Sequence, residues 1–131
     1  MDLTAPGLIE ITLFETTYEC EARFSTYASD PDVIAITLWG EDPEFGFPEE
    51  ITKVTVNLSE TLRKPGPHCI FVPDYGSTEG LFKQLEAMGL LKYIRDVQIG
   101  YGGGVEAELR GIWRAYGERA LEARMAQDLR R

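Results

Sequence analysis

Apolar and polar residues alternate with a period of two along much of the first half of the chain, which predicts β-strands with one buried and one solvent-facing side. Residues 8–14 and 17–27 alternate in this way, and the short link between them predicts a hairpin. Residues 33–39 and 51–58 predict two further strands, and the apolar run at 69–72 predicts another short strand.

Helical spacing replaces this alternation after residue 76. Ser77 is a residue type that caps helix N-termini, and apolar residues then recur every three to four positions until Gly89 ends the run. Residues 93–101 predict a further strand, and the glycine-rich run at 100–104 is interpreted as a flexible turn. The chain is therefore expected to hold a central helix between strands.

The last part of the sequence favours a second helix. Residues 105–113 fit either a last strand or the first turns of a helix, and the Ala, Glu, Arg and Leu content of residues 113–131 predicts a C-terminal helix. Because the strands mostly follow one another, we predict an α+β fold: a meandering, mainly antiparallel sheet of about five to seven strands, with the central helix and the C-terminal helix packed on it. The length of 131 residues suits a single domain over residues 1–131.

The formal net charge of −9 is distributed unevenly. Residues 1–60 hold 13 acidic residues against Arg23 and Lys53, residues 61–109 are nearly neutral, and residues 110–131 hold 6 Arg against 3 acidic residues. An acidic surface repels phosphate, so the first half is not expected to bind nucleic acid directly and suits a basic partner better. The alternative is that this charge serves solubility alone.

Residues 40–50 combine acids, glycines, prolines and two phenylalanines, and we interpret them as a loop. Exposed aromatic residues surrounded by charge are typical of an interface with apolar anchors and an electrostatic rim. The alternative is that Phe45 and Phe47 only attach the loop to the core. The predicted partner-binding residues are Glu41, Asp42, Glu44, Phe45, Phe47, Glu49 and Glu50.

No motif in the sequence supports a specific reaction. His68 is the only histidine, and neither a zinc site nor a Cys-His nucleophile pair is expected from it and the neighbouring Cys69. The glycine run at 100–104 lacks the Lys-Ser/Thr of a phosphate-binding loop. The many carboxylates favour a solvated or partner-facing surface over a tuned acid-base pair. We therefore expect no enzymatic activity, no cofactor and no metal.

The cysteines and the first residues bear on the cellular compartment. Cys20 and Cys69 lie 49 positions apart without CxxC spacing, and two buried free thiols are favoured over a disulfide. The N-terminus carries acid where a signal peptide carries Lys or Arg, and no apolar run approaches the roughly 20 residues that cross a bilayer. We expect a cytoplasmic protein without a membrane span.

Residues 54–89 contain a strand that ends in Asn57-Leu58, an aromatic turn at Asp74-Tyr75 and a helix that ends at Gly89. With these features the segment resembles a small family of domains of unknown function found on phages, plasmids and integrative elements, over about half of the chain. The resemblance implies a mobile-element setting and assigns no catalytic residues to this chain. Small acidic proteins of such elements often block host defence by occupying the basic nucleic-acid channel of a restriction or CRISPR effector.

The sequence thus predicts a non-catalytic acidic binding protein that inhibits a host nucleic-acid-binding defence protein, of the anti-CRISPR or anti-restriction type, by occupying its basic surface. A first alternative is a structural or adaptor protein that self-associates, for example as a homodimer, through its acidic half and its Arg-rich tail. A second alternative is a small enzyme without a recognisable motif.

Overall fold

The computed structural model describes residues 2–41, 44–58 and 63–130. Within these residues the chain forms two antiparallel sheets and two α-helices. The first sheet contains β1 (Leu3–Thr4), β2 (Ile9–Leu13), β3 (Thr16–Thr26), β4 (Ile34–Glu41) and β5 (Pro48–Lys53). The second sheet contains β6 (Cys69–Pro73), β7 (Leu91–Ile99) and β8 (Gly102–Leu109). The helices are α1 (Leu81–Ala87), which follows a 3₁₀ turn at Gly76–Thr78, and α2 (Gly111–Leu129).

β3 is the central strand of the first sheet. β1 and β2 both pair with one of its edges, β4 pairs with the other edge, and β5 lies beyond β4. Phe14 and Glu15 alone join β2 to β3, and both have positive φ angles, of 49° and 67°. Two such residues form a type I′ turn, whose twist matches that of the paired strands. The predicted hairpin is confirmed, although neither turn residue is the Gly or Asn usually found there.

The second sheet, in which β8 lies between β6 and β7, contradicts the prediction of a single sheet. The chain crosses between the sheets just after β5. The N–H of Val54 donates to the carbonyl of Ile36 in the first sheet at 2.9 Å, and the N–H of Val56 donates to the carbonyl of Phe71 in the second sheet at 3.1 Å. The alternation at 51–58 therefore spans a connection between two sheets rather than one continuous strand.

Both helices begin at other residues than predicted. Ser77 lies in the 3₁₀ turn, and α1 begins at Leu81 with Gly80 as its N-cap. The carboxylate of Asp74 accepts a hydrogen bond from the N–H of Gly80 at 2.8 Å, so Asp74 replaces Ser77 in holding this helix start. The helix predicted from residue 113 begins at Gly111, because strand β8 already ends at Leu109.

α2 packs on the first sheet through an aromatic contact. Trp113 is buried, and its ring meets that of Phe24 edge-on, with a centroid distance of 5.6 Å and an interplanar angle of 86°. Gly117 allows the helix to approach closely, because a Cβ atom there would lie 2.7 Å from Cδ1 of Leu109. Both sheets and both helices contribute to this core.

The interpretation of residues 100–104 as a turn is wrong for Gly102 to Gly104, which begin strand β8, whereas Gly100 and Tyr101 do form a turn. A Cβ atom at Gly102 would overlap the ring of Tyr75. A Cβ atom at Gly104 would overlap Ile99 and lie 2.7 Å from the carbonyl oxygen of Val72. These glycines therefore permit close packing of neighbouring side chains and backbone within the second sheet.

Candidate functional site

The first sheet has one face that faces solvent and carries acidic side chains. In β3, Cys20 and Ala22 point into the core and are buried. Successive side chains of a strand point to opposite faces, so Glu19 and Glu21 point outward. Carboxylates two positions apart on one strand lie about 7 Å from each other.

Strand register adds carboxylates from the neighbouring strands to the same face, because residues directly opposite each other share a face. Glu10 of β2 lies opposite Glu19. Trp39 of β4 lies opposite Glu21 on one side and opposite Glu50 of β5 on the other. We call this surface the acidic sheet face and define it by the carboxylates of Glu10, Glu19, Glu21, Glu41 and Glu50.

A groove of about 350 Å³ opens on the acidic sheet face. Three Glu and one Arg line it, so it carries a formal charge of −2 at neutral pH. Leu8 and Pro48 contribute apolar surface at its margin. The full lining consists of Leu8, Glu19, Glu21, Arg23, Trp39, Gly40, Glu41 and Pro48.

Arg23 and Trp39 form a stacked pair within this groove. The guanidinium carbon of Arg23 lies 4.0 Å from the centroid of the Trp39 ring, a cation–π distance. Nε and Nη2 of Arg23 donate to the same carboxylate oxygen of Glu21, at 3.0 and 2.7 Å. Nε1 of Trp39 donates to the hydroxyl of Thr37 at 3.0 Å, which orients the indole ring. The groove thus already binds one guanidinium through an aromatic ring and a carboxylate.

The residues predicted as partner-binding are only partly in a loop. Gly40 and Glu41 belong to β4, and Pro48, Glu49 and Glu50 belong to β5, so the prediction of a loop over 40–50 is wrong at both ends. The physical reason is that acidic residues can lie on the exposed face of a strand. A high content of proline and charge therefore does not by itself indicate a loop.

The structure brings some of the predicted residues to the groove and leaves others beside it. Glu41 lines the groove, and Glu50 lies on the acidic sheet face. Glu49 lies opposite Gly40, out of the groove lining. Glu44 lies in the turn between β4 and β5. Asp42 lies outside the described residues.

Phe45 and Phe47 are each 69% exposed, so neither ring attaches the turn to the core. Phe47 directly precedes Pro48 of the groove lining. An exposed aromatic residue next to a charged groove suits an apolar contact with a partner.

Sequence reasoning missed the centre of the groove. The alternation at residues 17–27 puts Glu19, Glu21 and Arg23 on the polar side of a strand but assigns them to no site, and the strand predicted at residues 33–39 only ends at Trp39. The alternation of Glu19, Glu21 and Arg23 was the available signal. The position of Trp39 between Glu21 and Glu50 depends on strand register, which one sequence does not reveal.

Other charged side chains are paired away from this face. Lys64 contacts Asp30 and Asp32 at 3.9 and 3.0 Å, at the connection between β3 and β4. The arginines around α2 contact local carboxylates: Arg110 with Glu108, Arg114 with Glu118 and Arg124 with Asp128. Among the described residues, these arginines form no ion pair with the acidic sheet face.

Reactive side chains are buried or dispersed. Cys20 and Cys69 are free and buried, as expected. Burial raises the pKa of each thiol to about 11, and the carboxylates of Glu106 and Glu108 contribute at Cys69. The reactive form of a thiol is the thiolate, so neither group suits nucleophilic chemistry near neutral pH. In the described part of the chain, no cluster of three or more His, Cys, Asp or Glu side chains could hold a metal ion.

His68 directly precedes strand β6 in the chain. Its φ of 59° is unusual for a residue other than glycine, and its Nδ1 lies 3.5 Å from a carboxylate oxygen of Glu118. This contact joins the residue before β6 to α2, and His68 does not belong to the groove lining.

Among the described helices, none is long and apolar enough to cross a membrane.

Comparison with known proteins adds no relative: no family model, no curated protein and no solved structure matches this chain.

Proposed function

We propose that the chain is a non-catalytic binding protein whose acidic sheet face covers a basic surface of a partner protein. The observation that carries this proposal is the groove, in which Glu19, Glu21 and Glu41 stand around a Trp39 ring on an uncovered sheet face. Complementary charge steers association and selects against acidic partners. The exposed rings of Phe45 and Phe47 would supply apolar contacts beside the charged surface.

The proposed partner is a nucleic-acid-binding effector of host defence, which the chain inhibits in the manner of an anti-CRISPR or anti-restriction protein. Effectors of this kind bind the phosphate backbone with Lys and Arg. Rows of carboxylates on adjacent strands offer those side chains an alternative anionic target. Inhibition then requires only that the acidic sheet face and the nucleic acid compete for one surface, and no bond is made or broken.

The experiment is a pull-down from host lysate with three forms of the protein. The groove variant carries Glu19→Gln, Glu21→Gln and Glu41→Gln. The control variant carries Glu15→Gln, Glu79→Gln and Glu122→Gln, which removes the same charge from exposed positions elsewhere. The wild type and the control variant should retain a nucleic-acid-binding protein that the groove variant loses.

Salt and competition sharpen this experiment. Raising the salt from about 0.15 M to about 0.5 M shortens the Debye length from about 8 Å towards the ~3 Å of 1 M salt, so an electrostatic complex should weaken. The nucleic acid that the captured protein binds should displace it from the wild type. Equal capture by the groove and control variants, or no displacement by nucleic acid, would contradict the proposal.

A second candidate function is self-association through α2. Leu121, Met125 and Leu129 follow one another at intervals of four and form a stripe on the helix. Met125 and Leu129 are largely exposed, and the stripe lines a groove of about 430 Å³ that also includes Pro31. Light scattering after size exclusion would show a dimer that Met125→Lys dissociates, whereas a monomeric wild type would exclude this candidate.

A further inference from the structure

We propose that the groove on the acidic sheet face recognises an arginine side chain of the partner in preference to a lysine side chain. This inference rests on the proposed function, because it names the chemical group that the acidic sheet face binds. It starts from Arg23, whose guanidinium stacks on Trp39 at 4.0 Å and bonds to Glu21. The chain therefore shows in its own contacts which cation this ring and these carboxylates suit.

The groove retains acidic groups beyond those that Arg23 uses. Among the described residues, the carboxylates of Glu19 and Glu41 make no ion pair or side-chain hydrogen bond. With Arg23 paired to Glu21, these two account for the remaining charge of the groove. An incoming cation therefore meets carboxylates that no side chain of the described chain neutralises, beside a half-buried aromatic ring whose face Arg23 covers.

Physical differences between the two basic side chains favour arginine. A guanidinium is planar and weakly hydrated, presents a fork of N–H donors to carboxylates, and stacks on aromatic rings. An ammonium is compact and strongly hydrated, and it makes no planar stack. Bulk negative charge attracts both groups equally, and Arg23 covers the face of the Trp39 ring, so a preference for arginine would report a guanidinium that takes the place of Arg23 on this ring rather than charge.

The test measures binding of two labelled peptides by fluorescence anisotropy: an Arg-Gly repeat and a Lys-Gly repeat of equal length and charge. The wild type should bind the arginine peptide about tenfold more tightly, which corresponds to about 1.4 kcal/mol. Trp39→Leu should reduce this ratio to near one and leave binding of the lysine peptide almost unchanged. Tyr101→Leu, at a fully exposed tyrosine outside the groove, should keep the ratio.

Arg23→Gln tests the same site by removing the arginine that occupies it. It frees the ring face and the Glu21 carboxylate, and it removes one positive charge from the groove. Both peptides should bind more tightly because of the charge, and the ratio in favour of arginine should rise because of the freed ring. Circular dichroism and thermal unfolding of each variant establish that it folds.

The outcomes separate this inference from the proposed function. If both peptides bind equally to the wild type, and the groove variant with three Gln loses both, then the arginine preference is wrong and the acidic binding surface stands. If Trp39→Leu leaves a preference for arginine intact, the preference does not come from the stacked geometry and the inference is overturned. If neither peptide binds the wild type, the inference and the proposed function both fail.

Discussion

Carboxylates that point away from the hydrophobic core have opposite environments in the two sheets. Glu106 in β8 is only 4% exposed, and each of its oxygens is satisfied: one accepts the N–H of Gly66 at 2.8 Å and the other accepts Nε of Arg95 at 2.8 Å. In the first sheet, Glu19 and Glu41 line an open groove. A buried charge is tolerated only with partners, whereas an exposed one is stabilised by water and stays available to another molecule.

Nearby hydrogen-bond donors decide whether a strand carboxylate stabilises the fold or stays available to a partner. In the second sheet, the chain segment at Gly66 closes over the sheet and supplies a backbone donor. In the first sheet, the one basic residue of the groove, Arg23, satisfies Glu21 alone by hydrogen bonds. The carboxylate of Glu106 is therefore structural, and the groove carboxylates are the better candidates for recognition.

The largest expected effect on stability comes from breaking the closed arrangement. Glu106→Ala leaves the half-buried N–H of Gly66 without its acceptor and removes the partner of Arg95, and each hydrogen bond to a charged group contributes roughly 1.5–3 kcal/mol, so the free energy of unfolding should fall by about 3 kcal/mol. Urea unfolding measures this change. The groove variant with three Gln should lose less than about 1 kcal/mol, because exposed ion pairs contribute little. Equal losses in the two variants would contradict the comparison.

A smaller loss of about 2 kcal/mol is expected from Gly104→Ala, because the added Cβ overlaps Ile99 and approaches a backbone carbonyl that cannot move aside easily. Gly103→Ala is the matched control, since a Cβ atom at that position has no neighbouring atom within 4 Å. Thermal unfolding should separate the two variants clearly. If Gly103→Ala were as destabilising as Gly104→Ala, the glycines would act through backbone conformation and not through packing.

The smallest expected effect is a pH-dependent loss of stability that comes from Cys69, which lies near Glu106. Burial and then the nearby carboxylates raise the pKa of Cys69 from 9.0 to about 11. Below about pH 9 the thiol is neutral in both states; above it the unfolded chain ionises first, so stability falls as the pH rises towards 11. The loss should reach about 1.4 kcal/mol near pH 10.

Urea unfolding under reducing conditions at about pH 8 and about pH 10 measures this loss. Cys69→Ala removes the contribution of this thiol and should reduce the loss by that amount, while the contribution of Cys20, whose pKa is also about 11, remains. An unchanged loss in Cys69→Ala would show that Cys69 does not titrate differently in the folded and unfolded chain.

Much of the fold follows from local patterns in the sequence. The alternation in β2 and β3 predicts the hairpin, and the composition of the last residues predicts α2, because each signal needs only neighbouring residues. The division into two sheets could not be predicted, because it depends on where the N–H groups of Val54 and Val56 find their acceptors. Those acceptors, Ile36 and Phe71, are distant in sequence.

The candidate site was predicted in part. The acidic composition indicated a charged surface, and Glu41 and Glu50 were named among its residues. Trp39 and Glu19 were not named, because a strand residue acquires its neighbours through register. The interpretation of residues 40–50 as one loop concealed that β4 and β5 extend into it from both ends.

By itself, the sequence determined the excess of negative charge, the one-sided strands that expose it and the burial of both thiols, because composition and alternation are properties of neighbouring residues. The folded arrangement of the strands sets which carboxylates lie together around Trp39 and encloses Glu106. Strand pairing and the crossing between the sheets bring donors and acceptors that are distant in sequence within hydrogen-bond distance. Patterns among neighbouring residues do not show which distant residues will meet.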